Sequence, residues 1–206
     1  AAGLRRRNMK FITTFHHELN YGYVTPEPEW AAADPKYAKL YGTPMKHDLW
    51  LAMWRDKLIE VIDSYAPDLI YHDSWLKQIP ERYVLEYLAH YFNRAEERGA
   101  EVAVTYKNDD LPSDIGMEDI ENRLISEPRE RPFLVDLAIG TSEIYAWGYT
   151  EGMVLRTAEE VLFHLFDVVS KNGSMMLNIS PMADGTIPAD QTHVLHRIGL
   201  WLWSFG

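Results

Sequence analysis

The chain of 206 residues contains no cysteine. That excludes disulfides, thiolate metal sites and a cysteine nucleophile. It contains no apolar run of about eighteen residues, the length a helix needs to cross a bilayer. The opening Ala-Ala-Gly-Leu-Arg-Arg-Arg-Asn leads directly into the apolar segment Met9–Phe15. This segment is too short for a signal-peptide core with a following cleavage site, and it reads as a helix end feeding a strand. Positive charge is scarce: 20 Lys and Arg face 31 Asp and Glu, for a net charge of −11. The only dense basic cluster, Arg5–Arg7, reads as a solvated helix end, so a nucleic-acid partner is not expected. A neutral or cationic partner suits the surface better. There is no glycine-rich phosphate loop, no Gly-x-Ser-x-Gly elbow and no internal repeat. His16-His17, His47 and His72 match no zinc-ligand spacing. Neither metal nor cofactor is expected.

Aromatic residues are plentiful at 13%, with seven Trp and twelve Tyr. They suit either a large aromatic core or a carbohydrate site, where flat ring faces meet the C–H faces of sugars. Short apolar strands alternate with longer helical patterns. Strands are expected at Lys10–Phe15, Leu69–Tyr71, Glu101–Tyr106, Phe133–Ile139 and Ser174–Ile179, with a sixth near Ile115–Ile120. Between them, Leu51, Trp54, Leu58, Val61 and Ile62 recur at helical spacing, as do Val84, Leu88, Tyr91, Phe92 and Ala95. Gly99 stands where a helix C-cap belongs. Thr157-Ala158-Glu159-Glu160 has the form of a capping box opening a further helix, and a last helix is expected over Ala189–Trp203. A polar, Pro-rich loop covers His16 to His47. Such alternation implies parallel βα units. The fold class expected is α/β, an incomplete (β/α)8 TIM-like barrel with about six of eight strands. Residues 1–206 are read as a single truncated TIM-barrel catalytic domain.

In such barrels, chemistry collects at the carboxyl ends of the strands. His16, Asp73, Lys107 and Asn178 all follow or end a strand. Glycoside hydrolysis uses two carboxyl groups flanking the scissile bond. Asp73 ends the apolar strand Leu69-Ile70-Tyr71 and suits the ionised partner, although an Asp there also suits a cap. The stretch Met117-Glu118-Asp119-Ile120-Glu121-Asn122-Arg123 offers three further carboxylates, and it reads equally as a solvated acidic loop.

The C-terminal third adds a resemblance. The run from Lys171-Asn172-Gly173 through Leu177-Asn178-Ile179-Ser180-Pro181 to Asp184-Gly185-Thr186-Ile187-Pro188 closely resembles the last barrel strand and loop of family 29 α-L-fucosidases. Ile198-Gly199-Leu200-Trp201-Leu202 resembles the closing helix of that family. Ile139-Gly140 with Ala146-Trp147-Gly148-Tyr149 resembles its Ile-Gly to Ser-Trp-Gly-Tyr segment. Tyr65-Ala66-Pro67-Asp68-Leu69-Ile70-Tyr71-His72-Asp73 resembles its nucleophile strand. The likeness covers nearly the whole chain.

This resemblance implies a retaining double displacement on terminal α-L-fucosyl linkages. Asp73 is the nucleophile it implies. Glu121, in Asp119-Ile120-Glu121, is the implied acid/base, with Glu118 in reserve. His16, His17, Tyr71, His72, Lys107 and Trp147 are the residues expected to bind substrate, Trp147 against the C6 methyl group. The implied partner is a fucosylated oligosaccharide or glycoconjugate, without membrane or nucleic acid. An open barrel leaves unpaired strand edges, so a homo-oligomer is expected. The sequence leaves the compartment open, and a secreted or periplasmic location rests on family analogy alone. Two features depart from the family pattern: its His-His-Asp-Gly-Phe segment has no counterpart, and Ser74 replaces the glycine after the nucleophile. The alternatives are a catalytically weak or inactive relative that binds fucose or glycans, and a barrel glycosidase for a related sugar such as an α-L-galactoside.

Overall fold

The computed structural model describes residues 1–22, 27–42, 45–73, 75–142 and 146–206. Ser74 therefore lies outside the described residues. The chain divides into two compact units, 1–117 and 118–206.

In the first unit the opening residues form the short helix α1 (Ala2–Arg5), followed by strand β1 (Ile12–Phe15). The apolar pattern predicts its start at Lys10. The ladder begins later because the backbone N–H of Phe11 donates to the Asp68 carboxylate at 2.8 Å instead of to a neighbouring strand. Among the described residues, three 3-10 turns and the short helix α2 (Ala38–Tyr41) occupy the Pro-rich stretch. Helix α3 (His47–Tyr65), strand β2 (Leu69–His72), helix α4 (Glu81–Glu97) and strand β3 (Ala103–Tyr106) complete the unit. Arg5 donates to the carbonyls of Tyr65 and Ala66. It thus places a cation at the C-terminal end of α3, where the helix dipole favours one. Helix α4 closes as its capping glycine predicts. Gly99 has φ +61°, and the N–H groups of Gly99 and Ala100 return to the carbonyls of Glu96 and Ala95, the pattern of a Schellman motif.

The strands of this unit pair in parallel, β1 with β2 and β2 with β3. Phe15 lies opposite His72, and Tyr71 opposite Thr105. Trp50, Trp54, Leu58 and Ile62 share one face of α3, four residues apart, and Tyr83, Tyr87, Tyr91 and Ala95 share one face of α4. All are buried, the first four together with Ile70, Val104 and Tyr106 in one core, against which Phe15 also packs. Strand side chains alternate between faces. The face carrying Phe15, Ile70, Val104 and Tyr106 is therefore the helix-covered one. The other face carries Thr14, Tyr71 and Thr105, and extends to the residues just beyond each strand.

The second unit contains β4 (Met117–Asp119), β5 (Phe133–Ala138), α5 (Ala158–Ser170), β6 (Gly173–Asn178) and α6 (Ala189–Phe205). Here too the pairing is parallel, β4 with β5 and β5 with β6. Every residue of β5 is buried, as expected of a parallel strand covered on both faces. The sixth strand predicted near Ile115–Ile120 is present as β4. The capping box is present as well. The hydroxyl of Thr157 accepts from Glu160 N at 3.2 Å, and the Glu160 carboxylate accepts from Thr157 N at 2.7 Å. Among the described residues, no helix is long and apolar enough to cross a membrane.

Candidate functional site

The register of the first unit brings three residues together. Phe15 pairs with His72, so the next residues, His16 and Asp73, are also neighbours. Tyr71 pairs with Thr105, so two residues further on Asp73 meets Lys107. All three follow the carboxyl ends of their strands and fall by alternation on the face away from the helices. The contacts agree with this. His16 Nδ1 lies 3.0 Å from Asp73 Oδ2, and Lys107 Nζ lies 2.8 Å from Asp73 Oδ1. The side chain of Lys107 is 7% exposed, that of Asp73 24% and that of His16 63%. Of the two partners of the carboxylate, Lys107 is the buried one and His16 the exposed one.

Burial pushes the Asp73 carboxyl up. The hydrogen bonds and positive charges of His16 and Lys107 push harder in the opposite direction and hold it well below the usual carboxylate range. The hydrogen bond to Asp73 raises His16 above its ordinary 6.5, against an opposing effect of burial. Asp73 is thus an anion that accepts, among the described residues, from His16 at Oδ2 and from Lys107 at Oδ1.

Tyr71 shares the face of Asp73 but is buried. The Lys107 ammonium stands 6.0 Å over its ring. His17 lies partly buried against α3. Its ring stacks on Trp54 with centroids 5.4 Å apart, and its Nε2 lies 3.1 Å from the Trp54 carbonyl oxygen. Burial lowers its pKa. His72 needs a correction. The family resemblance implies that it binds substrate, yet it has no exposed surface and faces the helices. Both ring nitrogens are engaged, Nδ1 with Glu18 Oε1 and Nε2 with Tyr87 Oη, each at 2.7 Å. His72 stands behind the site and presents nothing to a ligand. Glu18 and Tyr87, which sequence reasoning passed over, are its partners.

A second set belongs to the second unit. Glu121 is exposed and lies two residues beyond the end of β4, the position a barrel reserves for chemistry. The turn carrying it is anchored by Asn122, whose φ is +49°. Asn tolerates this left-handed conformation better than most residues. The N–H of Asn122 donates to the carbonyl of Asp136 at 2.9 Å, and its Oδ1 accepts from the N–H of Ala138 at 3.2 Å. Glu118 lies within β4 and forms a salt bridge to Arg129. Trp147 is half-buried, and its carbonyl accepts from Asn178 Nδ2 at 3.1 Å. That bond ties the Trp-Gly-Tyr segment to the end of β6.

Parallel βα units with a desolvated carboxylate just past a strand end define a barrel protein whose polar groups gather at the strand termini. Comparison with known proteins makes this specific. A family model described as α-L-fucosidase matches residues 1–206. The plasma α-L-fucosidase of Rattus norvegicus is 34% identical over 65 residues, which is 30% of this chain and 14% of that one. The solved Thermotoga maritima α-fucosidase in complex with fucose aligns with a TM-score of 0.71 and 23% identity, over 100% of this chain and 44% of its own. Isoenzyme 1 of Paenibacillus thiaminolyticus aligns with a TM-score of 0.67 and 19% identity, over 98% of this chain and 50% of its own. The fold is accordingly α/β, an incomplete (β/α)8 TIM-like barrel with six strands among the described residues. The chain belongs to the α-L-fucosidase family. It spans about half the length of the solved structures it matches.

Proposed function

We propose that the chain carries the greater part of the catalytic machinery of a retaining α-L-fucosidase, within a single truncated barrel domain. The observation that carries this reading is Asp73, an anionic, largely desolvated carboxylate at a strand end, bracketed by His16 and Lys107. In a double displacement, Asp73 attacks the anomeric carbon of a terminal α-L-fucosyl group as the glycosidic C–O bond breaks. The leaving oxygen takes a proton from the acid/base, which we assign to Glu121. Water then attacks the fucosyl ester of Asp73, gives a proton back to Glu121 and releases fucose. Glu121 is preferred to Glu118 because it lies beyond the strand end, whereas Glu118 is inside β4 and bound to Arg129. His16 and Lys107 are suited to sugar hydroxyls as well as to Asp73, and Trp147 to the C6 methyl group. Tyr71 lies beneath Lys107 on the same face, and His17 backs the site from the α3 side.

The substrate class follows the family, a fucosylated oligosaccharide or glycoconjugate. A homo-oligomer also fits. Among the described residues, β1 pairs only with β2 and β6 only with β5, and Trp203 and Leu200 of α6 are 91% and 68% exposed. Unpaired edges and apolar surface of this kind favour association.

The test is release of nitrophenol from 4-nitrophenyl α-L-fucoside by the parent and by Asp73→Ala. Loss of at least about a thousand-fold in the variant is expected for removal of a nucleophile. Equal release by both proteins would remove Asp73 from that role. No release by the parent, with fucose still bound in calorimetry, would replace hydrolysis with glycan binding.

A further inference from the structure

We infer that the buried trio Glu18, His72 and Tyr87 is a positioning device that holds His16 against Asp73. The inference deepens the proposed function, since it concerns the carboxylate read as the nucleophile. Glu18 lies two residues after His16, and His72 immediately precedes Asp73. The same two chain segments are thus bridged twice, on opposite faces of the sheet. On the open face His16 meets Asp73 at 3.0 Å. On the helix-covered face His72 meets Glu18 at 2.7 Å, with both side chains fully buried. The His72 ring is confined by aromatic neighbours, with centroids 5.4 Å away for Tyr87, 6.1 Å for Phe15 and 6.3 Å for Trp54.

The proton arrangement follows from the donor chemistry. The Glu18 carboxylate accepts from His72 Nδ1–H. Burial raises the Tyr87 hydroxyl well above its ordinary value and keeps it protonated, so it can donate to Nε2. One imidazole orientation satisfies both bonds. The turn that presents His16 needs such an anchor. The 3-10 turn His17–Leu19 is closed by backbone bonds of only 3.3 Å and 3.2 Å, so its local hydrogen bonding holds it weakly. The ring of His17 adds a second tie to the Trp54 carbonyl. A well-packed apolar trio would fill this space at lower desolvation cost. A buried polar network instead fixes a single geometry, and here that geometry is the relative position of the ends of β1 and β2.

The experiment follows the His16 imidazole by NMR titration, which needs no turnover. Asp73→Asn sets the reference: His16 falls toward 6.5 when its partner loses charge. The Glu18 charge itself raises His16, so the charge-neutral Tyr87→Phe is the deciding variant: with the native fold checked by circular dichroism, it is expected to shift His16 in the same direction while Asp73 is intact. Tyr91→Phe is the control. It removes a buried hydroxyl of the same helix, bonded to the Pro67 carbonyl at 3.0 Å, and should leave His16 unmoved. An unmoved His16 in a folded Tyr87→Phe protein overturns the inference, as does an equal shift in Tyr91→Phe. Should Tyr87→Phe fail to fold, Glu18→Gln decides through the His16 shift that remains when Asp73→Asn is added: a positioning role makes the two variants' shifts non-additive, whereas a charge effect alone leaves them additive. Failure of the fucosidase reading shows separately, as absence of fucoside cleavage by the parent with the titration shifts intact.

Discussion

Gly173→Ala tests whether the Asn-Gly that opens β6 in the family-like C-terminal run is there for packing. A methyl group placed on Gly173 would lie 2.5 Å from Phe133 Cζ, 2.6 Å from Phe133 Cε2 and 2.7 Å from Val168 Cγ1. Neither neighbour can give way easily, because Phe133 is 1% exposed and Val168 has no exposed surface. Gly173 also pairs with Phe133 across the β5–β6 ladder, so the two backbones cannot separate without breaking it. Overpacking a core by one methyl group costs about 1–3 kcal/mol, and three contacts this short put the cost near the upper end. Restricting the unfolded chain returns about 0.4–1 kcal/mol. The net loss is then about 2 kcal/mol, or roughly 4–8 °C in Tm for a chain of this size, read by thermal unfolding. Val168→Ala in the same background makes room, so the double variant should be less destabilised than the two single losses added together by at least about 0.5 kcal/mol. An unchanged or raised Tm for Gly173→Ala would refute the packing argument.

Asp73 and His16 give a pH dependence whose sign follows from their opposite shifts. The lowered Asp73 contributes stability that is present above 3.8 and lost as pH falls through its folded value, while the raised His16 contributes stability that is present below 6.5 and lost as pH rises through its folded value. Tm of the parent should therefore be highest between these values, and Asp73→Asn should flatten both limbs. Thr157→Ala removes one half of a capping box and should lower stability by about 1 kcal/mol in denaturant titration, without changing fucoside turnover. Lys107→Met should reduce turnover of a fucoside by about 10- to 100-fold, the worth of a charged hydrogen bond, and His16→Ala by less. Steady-state kinetics ranks the two, and the reverse order would count against the roles assigned to them.

The fold was largely legible because parallel βα units write themselves in two periods. Trp54, Leu58 and Ile62 mark one helix face, and Val84, Leu88, Tyr91 and Ala95 mark another. The apolar stretches between them became strands, with boundary shifts of one or two residues. The strand-end rule placed His16, Asp73 and Lys107 where the structure brings them together. Alternation along β2 already contained the correction to His72. A residue adjacent to Asp73 must point to the opposite face, and with Ile70 in the core that face belongs to the helices. Glu18 and Tyr87 carried no comparable signal. Glu18 lies in an irregular turn 54 residues from its partner, and Tyr87 looks like any other aromatic on the apolar stripe of α4. Their pairing depends on side-chain packing, which periodicity does not encode.

The two cations around Asp73 are unequal, and the difference bears on how such a carboxylate could react. A nucleophile must be ionised, which favours nearby positive charge, yet each hydrogen bond it accepts ties down electron density needed for attack. Lys107 is almost fully buried and bonded to Oδ1, so its charge is fixed in place and desolvated, where it counts most. His16 is mostly exposed and bonded to Oδ2. Its bond is partly screened and easily exchanged for one to a sugar hydroxyl. Both bonds hold the group anionic, but only the exposed partner is free to exchange: in the proposed reaction Oδ2 attacks as His16 turns to a sugar hydroxyl, while Oδ1 stays with Lys107 through the formation and hydrolysis of the ester.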